Sequence, residues 1–456
     1  MTYEEAVAYI DSFTNFEHVW QPEAMREVQL ERMHELCRRL GDPQRRFRSV
    51  LVTGTNGKGS VCAMLYSMLR ESTLRVGLYT SPHVEQLRER IRVWTAAGPS
   101  GDGRVWGDDW IAEPVFAGLV EEMRPVLDRL EDRPTYFELL TALAFLHFAR
   151  QRVEVAVLEV GLGGRLDATN VVEQAVSVLT PIALDHTAIL GEEPMAIARE
   201  KAAIIKPRQT VITAPQTEDV LGVLRVACEA QGVPLLVTGQ DLTVRIERHD
   251  LGGLDVSVTG LRGIYESLEI PLPGRHQAHN AAVAIGALES LSNTGIPRAF
   301  VERGLADLEW PGRLEVVSDT PLVVLDGAHN PAAASALSDT LTELCPDRRI
   351  HLLIGMSSDK LVEDVGRQLG TLAVGVTCTR SRHPRALDPT ALATRLAPFC
   401  PDVHVMSDPI DAYTYLLNVV SPEDVIVVTG SLFLVGELRA ALRHAHVRSR
   451  RSTTSV

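Results

Sequence analysis

The chain has 456 residues and 45% hydrophobic residues, enough for two or three domains whose apolar cores need no stabilising metal or disulfide. Its formal net charge is −14 and its basic residues are scattered except for a short C-terminal run, so we expect no nucleic-acid partner. The six cysteines are far apart and form no CxxC pair, which predicts reduced thiols in a cytoplasmic protein.

The first 49 residues have the periodicity of helices. Apolar residues recur at helical spacing from Leu30 to Leu40, and Gly41-Asp42-Pro43 predicts the end of that helix. The opening MTYEEAVAYIDSF lacks the charged and apolar regions of a signal peptide, and no long apolar run follows it. We therefore expect neither secretion nor membrane insertion.

A change of period at residue 50 marks the start of an α/β region. Val50-Leu51-Val52 predicts a buried strand, which a Gly-rich turn and an apolar helix from Ser60 to about Leu69 follow. Further elements are expected in alternation: strands at 76–79, 155–160 and 175–179, helices at 137–150 and 194–205, and a small β excursion at 254–258 and 268–272. Such alternation is typical of a mostly parallel sheet.

The C-terminal third predicts a second domain. Trp310-Pro311-Gly312 ends a stretch that we interpret as a linker at 301–311. After it, short apolar strands alternate with helices, at 322–325, 351–354, 403–406 and 425–428. The predicted fold class is α/β, with a P-loop-type, mostly parallel sheet domain at 1–300 followed by a smaller Rossmann-like doubly wound domain at 312–456.

The strongest local signal is the segment TGTNGKGS at 53–60, between a predicted strand and a predicted helix. Its glycines let backbone N–H groups and the helix N-terminus face a phosphate. Lys58 would then reach the β- and γ-phosphates, and Ser60 would add a hydroxyl near the metal. The segment departs from GxxxxGK[ST], because Val52 occupies the first glycine position and Gly59 separates Lys58 from Ser60. An ordinary Gly-rich turn is the alternative.

The form GTNGKGS resembles the nucleotide loop of the Mur ligase superfamily, and of its folylpolyglutamate synthase/dihydrofolate synthase branch in particular. Similar segments follow in the family's order along nearly the whole chain: Ser81-Pro82-His83, LEVGLGGRLDATN at 158–170, Leu184-Asp185-His186, Arg199-Glu200-Lys201-Ala202, Gly274-Arg275-His276-Gln277 with Asn280, WPGR at 310–313, DGAHNP at 326–331 and TGSL at 429–432. Their joint order and spacing make the resemblance specific. One departure is Leu361, which follows Asp359-Lys360 where family members often have an acid.

The resemblance implies a magnesium site. Glu159 lies at the end of an apolar strand, where an open α/β sheet places its ligands and where a carboxylate suits Mg²⁺. The family positions that match Ser81, Glu159 and His186 are magnesium ligands. The resemblance also implies that CO₂ carbamylates Lys201, which converts a cation that would repel Mg²⁺ into an anion; a solvated surface lysine is the alternative. It is compatible with a monovalent cation as well.

ATP is the second implied ligand. The matching positions for ATP are Thr55, Asn56, Gly57, Lys58, Gly59, Ser60, Asn280, Arg313 and Asp326, with Asn280 at the base and Arg313 at the phosphates. Asp326 and His329 follow a strand of the second domain, at the edge where such sheets bind ligands. We assign catalysis to Lys58, Lys201, Asp326 and His329.

The substrate side is implied by two further segments. Thr135, Tyr136 and Phe137 resemble the family's pterin-side segment, where an aromatic ring lies against the flat heterocycle; packing of both rings in the core is the alternative. Ser431, after the strand at 425–428, is the candidate for the incoming glutamate. We expect the first domain to hold ATP and the pterin, and the second to act as the glutamate ligase domain.

The implied reaction is ATP-dependent addition of L-glutamate to dihydropteroate, reduced folates or both, through an acyl phosphate. The form TYFE at 135–138 resembles bifunctional bacterial members, so we predict use of both acceptors. We expect a cytoplasmic monomer whose partners are these small molecules, without nucleic acid or membrane.

Two alternatives to this reading remain open. One is a Mur ligase that acts on a UDP-linked cell-wall precursor, although such enzymes usually have an additional N-terminal domain and only a helical stretch precedes Val50. The other is a nucleotide-dependent switch protein, in which the downstream acid, histidine and lysine would have no evident purpose.

Overall fold

Three β-sheets organise the protein, for which we use a computed structural model that describes residues 1–26, 29–95, 107–292, 295–400 and 402–453. A seven-stranded and a three-stranded sheet belong to the first 300 residues, and a six-stranded sheet belongs to the remainder. The predicted fold class is confirmed: both large sheets are mostly parallel and are covered by helices.

The elements of the first part alternate as the sequence pattern predicts. The helices are α1 (Tyr3–Asp11), α2 (Pro22–Arg26), α3 (Leu30–Arg39), α4 (Lys58–Arg70), α5 (Glu113–Leu127), α6 (Tyr136–Arg150), α7 (Thr187–Leu190), α8 (Pro194–Ala202), α9 (Glu218–Gln231), α10 (His276–Leu291) and α11 (Arg298–Ala306). The strands are β1 (Arg48–Thr53), β2 (Val76–Tyr79), β3 (Ile91–Trp94), β4 (Val155–Glu159), β5 (Val176–Leu179), β6 (Thr210–Thr213), β7 (Leu235–Val237), β8 (Thr243–Asp250), β9 (Gly253–Thr259) and β10 (Ile264–Ile270).

The seven-stranded sheet has the order β3-β2-β4-β1-β5-β6-β7, and only β3 runs antiparallel. Its central strand is apolar on both sides: Val50 and Val52 pack against α4 and α10, whereas Leu51 packs against α6. Val52 pairs with Glu159 of β4 and with Val178 of β5. The carboxyl ends of these three strands therefore lie side by side, and the segments that follow them share one edge of the sheet.

The predicted linker at 301–311 is wrong in its first half, because α11 extends to Ala306. Val301 and Leu305 are fully buried in the core beneath α4. Gly304 approaches α4 so closely that a Cβ atom there would lie 2.4 Å from the Cα atom of Met68. The helix was missed because Gly295-Ile296-Pro297 and Trp310-Pro311-Gly312 punctuate the sequence on both sides of a short amphipathic segment.

The predicted β excursion is an antiparallel sheet of three strands, in the order β10-β9-β8. Its inner face packs on α10 through Leu254, Val256 and Val258. β8 was missed because its sequence, TVRIERHD, is rich in charge.

The second part is a six-stranded sheet in the order β11-β12-β16-β13-β14-β15, in which only β11 is antiparallel. Its strands are β11 (Glu315–Asp319), β12 (Leu322–Leu325), β13 (Ile350–Ile354), β14 (Ala373–Cys378), β15 (Val403–Val405) and β16 (Val425–Thr429). Its helices are α12 (Pro331–Leu344), α13 (Val362–Leu369), α14 (Pro389–Leu396), α15 (Pro409–Val419) and α16 (Leu432–Thr453). The four predicted strands are present, and β11 and β14 were missed because one is a polar edge strand and the other contains a glycine.

Two composition-based expectations can be compared with the structure. All six cysteines are free and buried. Among the helices of the described ranges, none combines the length and the apolar character that crossing a membrane requires.

Candidate active site

The Gly-rich segment forms a tight loop between β1 and α4. Gly54 and Gly57 have positive φ angles of 146° and 86°. A Cβ atom on Gly54 would lie 1.9 Å from Thr180 Oγ1, and one on Gly57 would lie 2.7 Å from Asn280 Oδ1. Both positions therefore require glycine. Because α4 begins at Lys58, its unpaired backbone N–H groups face the loop, as in a phosphate-binding helix N-terminus.

Two lysines converge on this loop. Lys58 Nζ donates to the carbonyl oxygens of Gly54 and Thr55, at 3.2 and 3.1 Å, and Lys201 Nζ from α8 donates to the Gly54 oxygen at 2.7 Å. Lys201 is only 4% exposed. Burial, together with the nearby Lys58 cation, lowers its pKa to about 7. Much of the Lys201 population is thus a neutral amine at physiological pH, which is the form that reacts with CO₂.

The three predicted magnesium ligands lie at the carboxyl edge of the same sheet. Glu159 ends β4, is 5% exposed and accepts a hydrogen bond from the Ser81 backbone N–H at 3.0 Å. Burial raises the pKa of its carboxyl, and Lys58 opposes that rise. His186 precedes α7, and its buried Nδ1 atom has no hydrogen-bond partner within the described residues. Burial holds the His186 pKa well below its usual value, so its ring is neutral.

These residues fit a hard cation only in combination with other oxygen ligands. No group of three His, Cys, Asp or Glu side chains that could hold a metal occurs in the part of the chain that the structure describes. A buried carboxylate, a hydroxyl and an unpartnered neutral imidazole suit Mg²⁺, which usually completes its shell with water and substrate phosphate oxygens. The donor set therefore fits a magnesium–nucleotide complex better than a metal held by protein alone.

The second domain contributes an Arg–Asp pair opposite the loop. Asp326 follows β12 and accepts hydrogen bonds from the backbone N–H groups of Leu314 and Ala328, at 2.9 and 2.8 Å. Burial raises the pKa of Asp326, while the Arg313 cation opposes it. Across the cavity, Asn280 of α10 is 3% exposed and donates to Gln277 Oε1 at 2.9 Å.

A cavity of about 440 Å³ lies between the two large sheets. The structure brings together on its walls all the predicted ATP-binding residues, all the predicted magnesium ligands and all the predicted catalytic residues: Thr55, Asn56, Gly57, Lys58, Gly59, Ser60, Asn280, Arg313, Asp326, Ser81, Glu159, His186, Lys201 and His329. These residues come from eight segments spread over 275 positions of sequence, so their convergence is a property of the fold.

A second cavity of about 340 Å³ adjoins the first, and the two share nine lining residues: Ser81, Pro82, Gly161, Leu162, Gly163, His186, Leu190, His329 and Leu432. Thr135, Phe137 and Ser431 line it, as predicted. Tyr136 does not: it is 5% exposed and packs in the core around α6. The two neighbouring rings lie in different places because consecutive residues of a helix point about 100° apart, and substrate contact by Tyr136 stays a prediction.

Part of this second cavity was missed by sequence reasoning. The N-terminal segment contributes Asn15, Phe16, Glu17 and Trp20, and the second domain contributes Lys360 and Arg385. Glu17 forms a bidentate ion pair with the buried Arg90, at 2.7 and 2.6 Å. The only local signal was the pair of aromatic residues, Phe16 and Trp20, in a break between predicted helices.

Three of the four lysines of the chain line these cavities. Lys58 and Lys201 line the larger cavity, and Lys360 lines the smaller one. Lys206, at the end of the segment that carries Lys201, donates to the backbone oxygens of Asn170 and Val172. The remaining basic side chains, apart from the histidines, are arginines.

Comparison with known proteins identifies both halves of the chain. Residues 110–288 match the family described as Mur ligase middle domain, and residues 312–432 match the family described as Mur ligase, glutamate ligase domain. A Bacillus subtilis protein named dihydrofolate synthase/folylpolyglutamate synthase is 35% identical over 424 residues, which are 91% of this chain and 95% of that relative. A Lacticaseibacillus casei protein named folylpolyglutamate synthase is 34% identical, covering 97% of this chain and 99% of its own length.

Solved structures agree with these relatives. Mycobacterium tuberculosis folylpolyglutamate synthase complexed with ADP superposes with a TM-score of 0.87 and 31% identity, covering 96% of this chain and 98% of that one. Escherichia coli FolC in complex with DHPP and ADP superposes with a TM-score of 0.83 and 28% identity, covering 98% of this chain and 99% of that one.

Proposed function

Because the chain belongs to the folylpolyglutamate synthase/dihydrofolate synthase family of Mur ligases, an ATP-dependent family that adds glutamate to folates, we propose that its two adjoining cavities hold the nucleotide and the folate-type acid. The larger cavity would take ATP, with its phosphates on the loop from Thr53 to Ser60. The smaller cavity would take the pterin, against Phe137.

The observation that carries this proposal is the wall shared by the two cavities, whose polar members are Ser81, His186 and His329. An acid whose ring lies near Phe137 would present its carboxylate at this wall, next to the γ-phosphate of a nucleotide on the loop. Placing the two reactants together supplies a large part of the catalysis in phosphoryl transfer.

In the first step, a carboxylate oxygen of the acceptor attacks the γ-phosphorus, and the bond to the β-phosphate oxygen breaks to give an acyl phosphate and ADP. Lys58 and Arg313 would neutralise the charge that develops on the phosphate oxygens. Ser81, Glu159 and His186, with Lys201 as its carbamate, would hold Mg²⁺, which supplies further charge neutralisation at the phosphates. The buried position of Lys201 and its lowered pKa favour the carbamate.

In the second step, the amine of glutamate attacks the acyl carbon, loses a proton, and phosphate leaves. His329 is the candidate proton acceptor. Its Nδ1 atom lies 2.8 Å from the Gly327 carbonyl oxygen and so carries the hydrogen, while Nε2, the atom that would accept the proton, lies 3.7 Å from Asp185 Oδ2. Ser431 lines the cavity beside His329 and would hold the incoming glutamate.

We propose that both dihydropteroate and reduced folates are acceptors, because Thr135 and Phe137 on the cavity wall can hold the ring without help from a glutamate tail. Purified protein with Mg²⁺, ATP, glutamate and either acceptor tests this. The expected result is ADP release that depends on glutamate and on each acceptor. Turnover with only one acceptor would contradict bifunctionality, and ADP release that ignores glutamate would favour a switch protein.

A further inference from the structure

The side chain of Asn330 joins the second domain to the nucleotide loop. It lies just before α12, is 2% exposed, and exchanges two hydrogen bonds with the side chain of Asn56: Asn330 Nδ2 donates at 2.8 Å and Asn56 Nδ2 donates back at 3.1 Å. The same Nδ2 group donates to Asp185 Oδ2 at 3.1 Å. These contacts span 274 and 145 positions of sequence and cross between the two large sheets.

Every hydrogen-bonding position of the Asn330 amide is occupied. Besides the contacts with Asn56 and Asp185, Oδ1 accepts from the Ala333 backbone N–H at 2.9 Å and so caps α12. An amide offers two donors and two acceptors on one short side chain. Aspartate lacks the donors, serine has a single donor, and glutamine is one methylene longer, so asparagine is the residue type that makes all four contacts.

Asn330 lines neither cavity, whereas its two partners do. Asn56 and Asp185 are both on the wall of the larger cavity. A second contact from the same domain reinforces the junction, because Lys360 Nζ donates to Asp185 Oδ1 at 2.8 Å. Asn330 therefore holds two residues of the cavity wall without being part of that wall.

We propose that Asn330 is a positioning residue that sets the conformation of the nucleotide loop, through Asn56, only when the second domain is seated. The inference rests on the proposed ATP site. It adds a link between the contact of the second domain with the nucleotide loop and phosphoryl transfer. The domain that would supply glutamate would thereby complete the loop that activates the acid.

A double-mutant cycle tests the link. Asn330→Ser keeps a good N-cap for α12 but removes the paired amide contacts, and Asn56→Ala removes the partner. We expect each single variant to lower kcat about tenfold, and the double variant to be no more than about threefold slower than the slower single variant. Asp408→Ser, which changes the N-cap of α15 in the same domain, is the matched control and should keep the wild-type kcat.

A second variant guards against a folding defect. Asn330→Asp keeps the cap and still accepts from Asn56, but it cannot donate and places a carboxylate against Asp185. We expect a larger loss of kcat than with Asn330→Ser, at a thermal midpoint within a few degrees of wild type.

Two results would overturn the inference: wild-type kcat in both Asn330 variants, or losses that multiply to about a hundredfold in the double variant. Turnover of the wild-type protein with ATP, glutamate and acceptor is measured in parallel. If the proposed function is wrong, the wild type itself shows no turnover; if only the role of Asn330 is wrong, the wild type remains active.

Discussion

At the scale of single residues, the two lysines at the loop differ in how they can serve a phosphate. Lys58 is half-buried and is the residue that we propose as the cation at the phosphate oxygens. Lys201 is buried and has a pKa of about 7. A neutral amine does not attract a phosphate by charge, but it can form a carbamate. In our proposal, Lys58 therefore supplies a positive charge and Lys201, as its carbamate, a negative one.

We predict that Lys201→Ala is inactive and that short carboxylic acids such as acetate partly restore its activity, because a free carboxylate can replace the missing carbamate. Initial rates with increasing acetate measure this. Lys58→Ala is the matched control, since an anion cannot replace a cation and acetate should give no recovery. Full activity of Lys201→Ala without any added acid would remove Lys201 from the site.

Neighbouring aromatic residues of α6 have separate roles. Phe137 lines the smaller cavity and approaches Gly161 so closely that a Cβ atom there would lie 2.6 Å from its ring. Tyr136 packs in the core. The backbone thus holds one ring on the cavity wall and the other beneath the helix.

We predict that Phe137→Ala raises KM for the acceptor about tenfold, because a stacking surface is lost, with the larger effect on dihydropteroate. Tyr136→Ala should instead lower the free energy of unfolding by about 3–5 kcal/mol with little change in KM, since it leaves a core cavity. Steady-state kinetics with both acceptors and urea unfolding measure the two effects. A selective loss of dihydropteroate activity in Tyr136→Ala would contradict this division.

At the scale of elements, α16 connects the second domain to the segment that carries Ser81. Gly436 of α16 lies against that segment, and a Cβ atom on it would be 1.8 Å from the Val84 carbonyl oxygen. One turn later, Arg439 pairs with Glu85 and, at 2.8 Å, with Glu315. The helix therefore packs directly, backbone to backbone, beside a predicted magnesium ligand.

We predict that Gly436→Ala lowers kcat/KM more than tenfold, because the added methyl group forces α16 away from Val84. Gly222→Ala in α9 is the matched control: no atom lies within 4 Å of its Cβ position, so it should keep full activity and gain about 0.5–1 kcal/mol of stability. Kinetics and thermal unfolding of both variants measure this. Equal activity of the two variants would show that the close contact of α16 with Val84 is not needed for activity.

At the scale of the whole molecule, the larger cavity has walls from both domains, with the loop and Asn280 on one side and Arg313 and Asp326 on the other. A nucleotide bound there would contact both sheets and oppose their separation. Its binding free energy would then add to the stability of the complete two-domain arrangement.

We predict that ADP at about one hundred times its dissociation constant adds about 2.7 kcal/mol to stability, seen as a higher thermal midpoint. Lys58→Ala in the first domain and Arg313→Ala in the second should each lose most of this gain at the same ADP concentration, whereas Gly222→Ala should keep it. For each variant, the rise of the thermal midpoint on adding ADP is compared with the rise in the wild type. Midpoints without ligand are not compared, because Arg313→Ala also leaves Asp326 without its counterion. A full gain in Arg313→Ala would place the nucleotide in one domain alone.

The parts of the fold and of the candidate site that could be predicted from the sequence are those with a local sequence pattern. The Gly-rich turn and the acids and histidines at strand ends are detectable because parallel strands bring their carboxyl ends to one edge. Phe16, Trp20 and Arg385 reach the smaller cavity from distant segments, and no local pattern reports such contacts. For Tyr136 and Phe137, the sequence motif does not tell which of two consecutive helical residues faces a cavity.

The distribution of lysines has a practical consequence for chemical labelling. Arginine replaces lysine over the rest of the surface, and guanidinium groups do not react with the active esters that modify amines. Besides the N-terminal amine, which is paired with Glu121, the targets of such a reagent are the three lysines that line the cavities and Lys206. Acylation should therefore report occupancy directly, with nucleotide protecting Lys58 and acceptor protecting Lys360, and coupling to an amine-reactive sensor chip should abolish turnover.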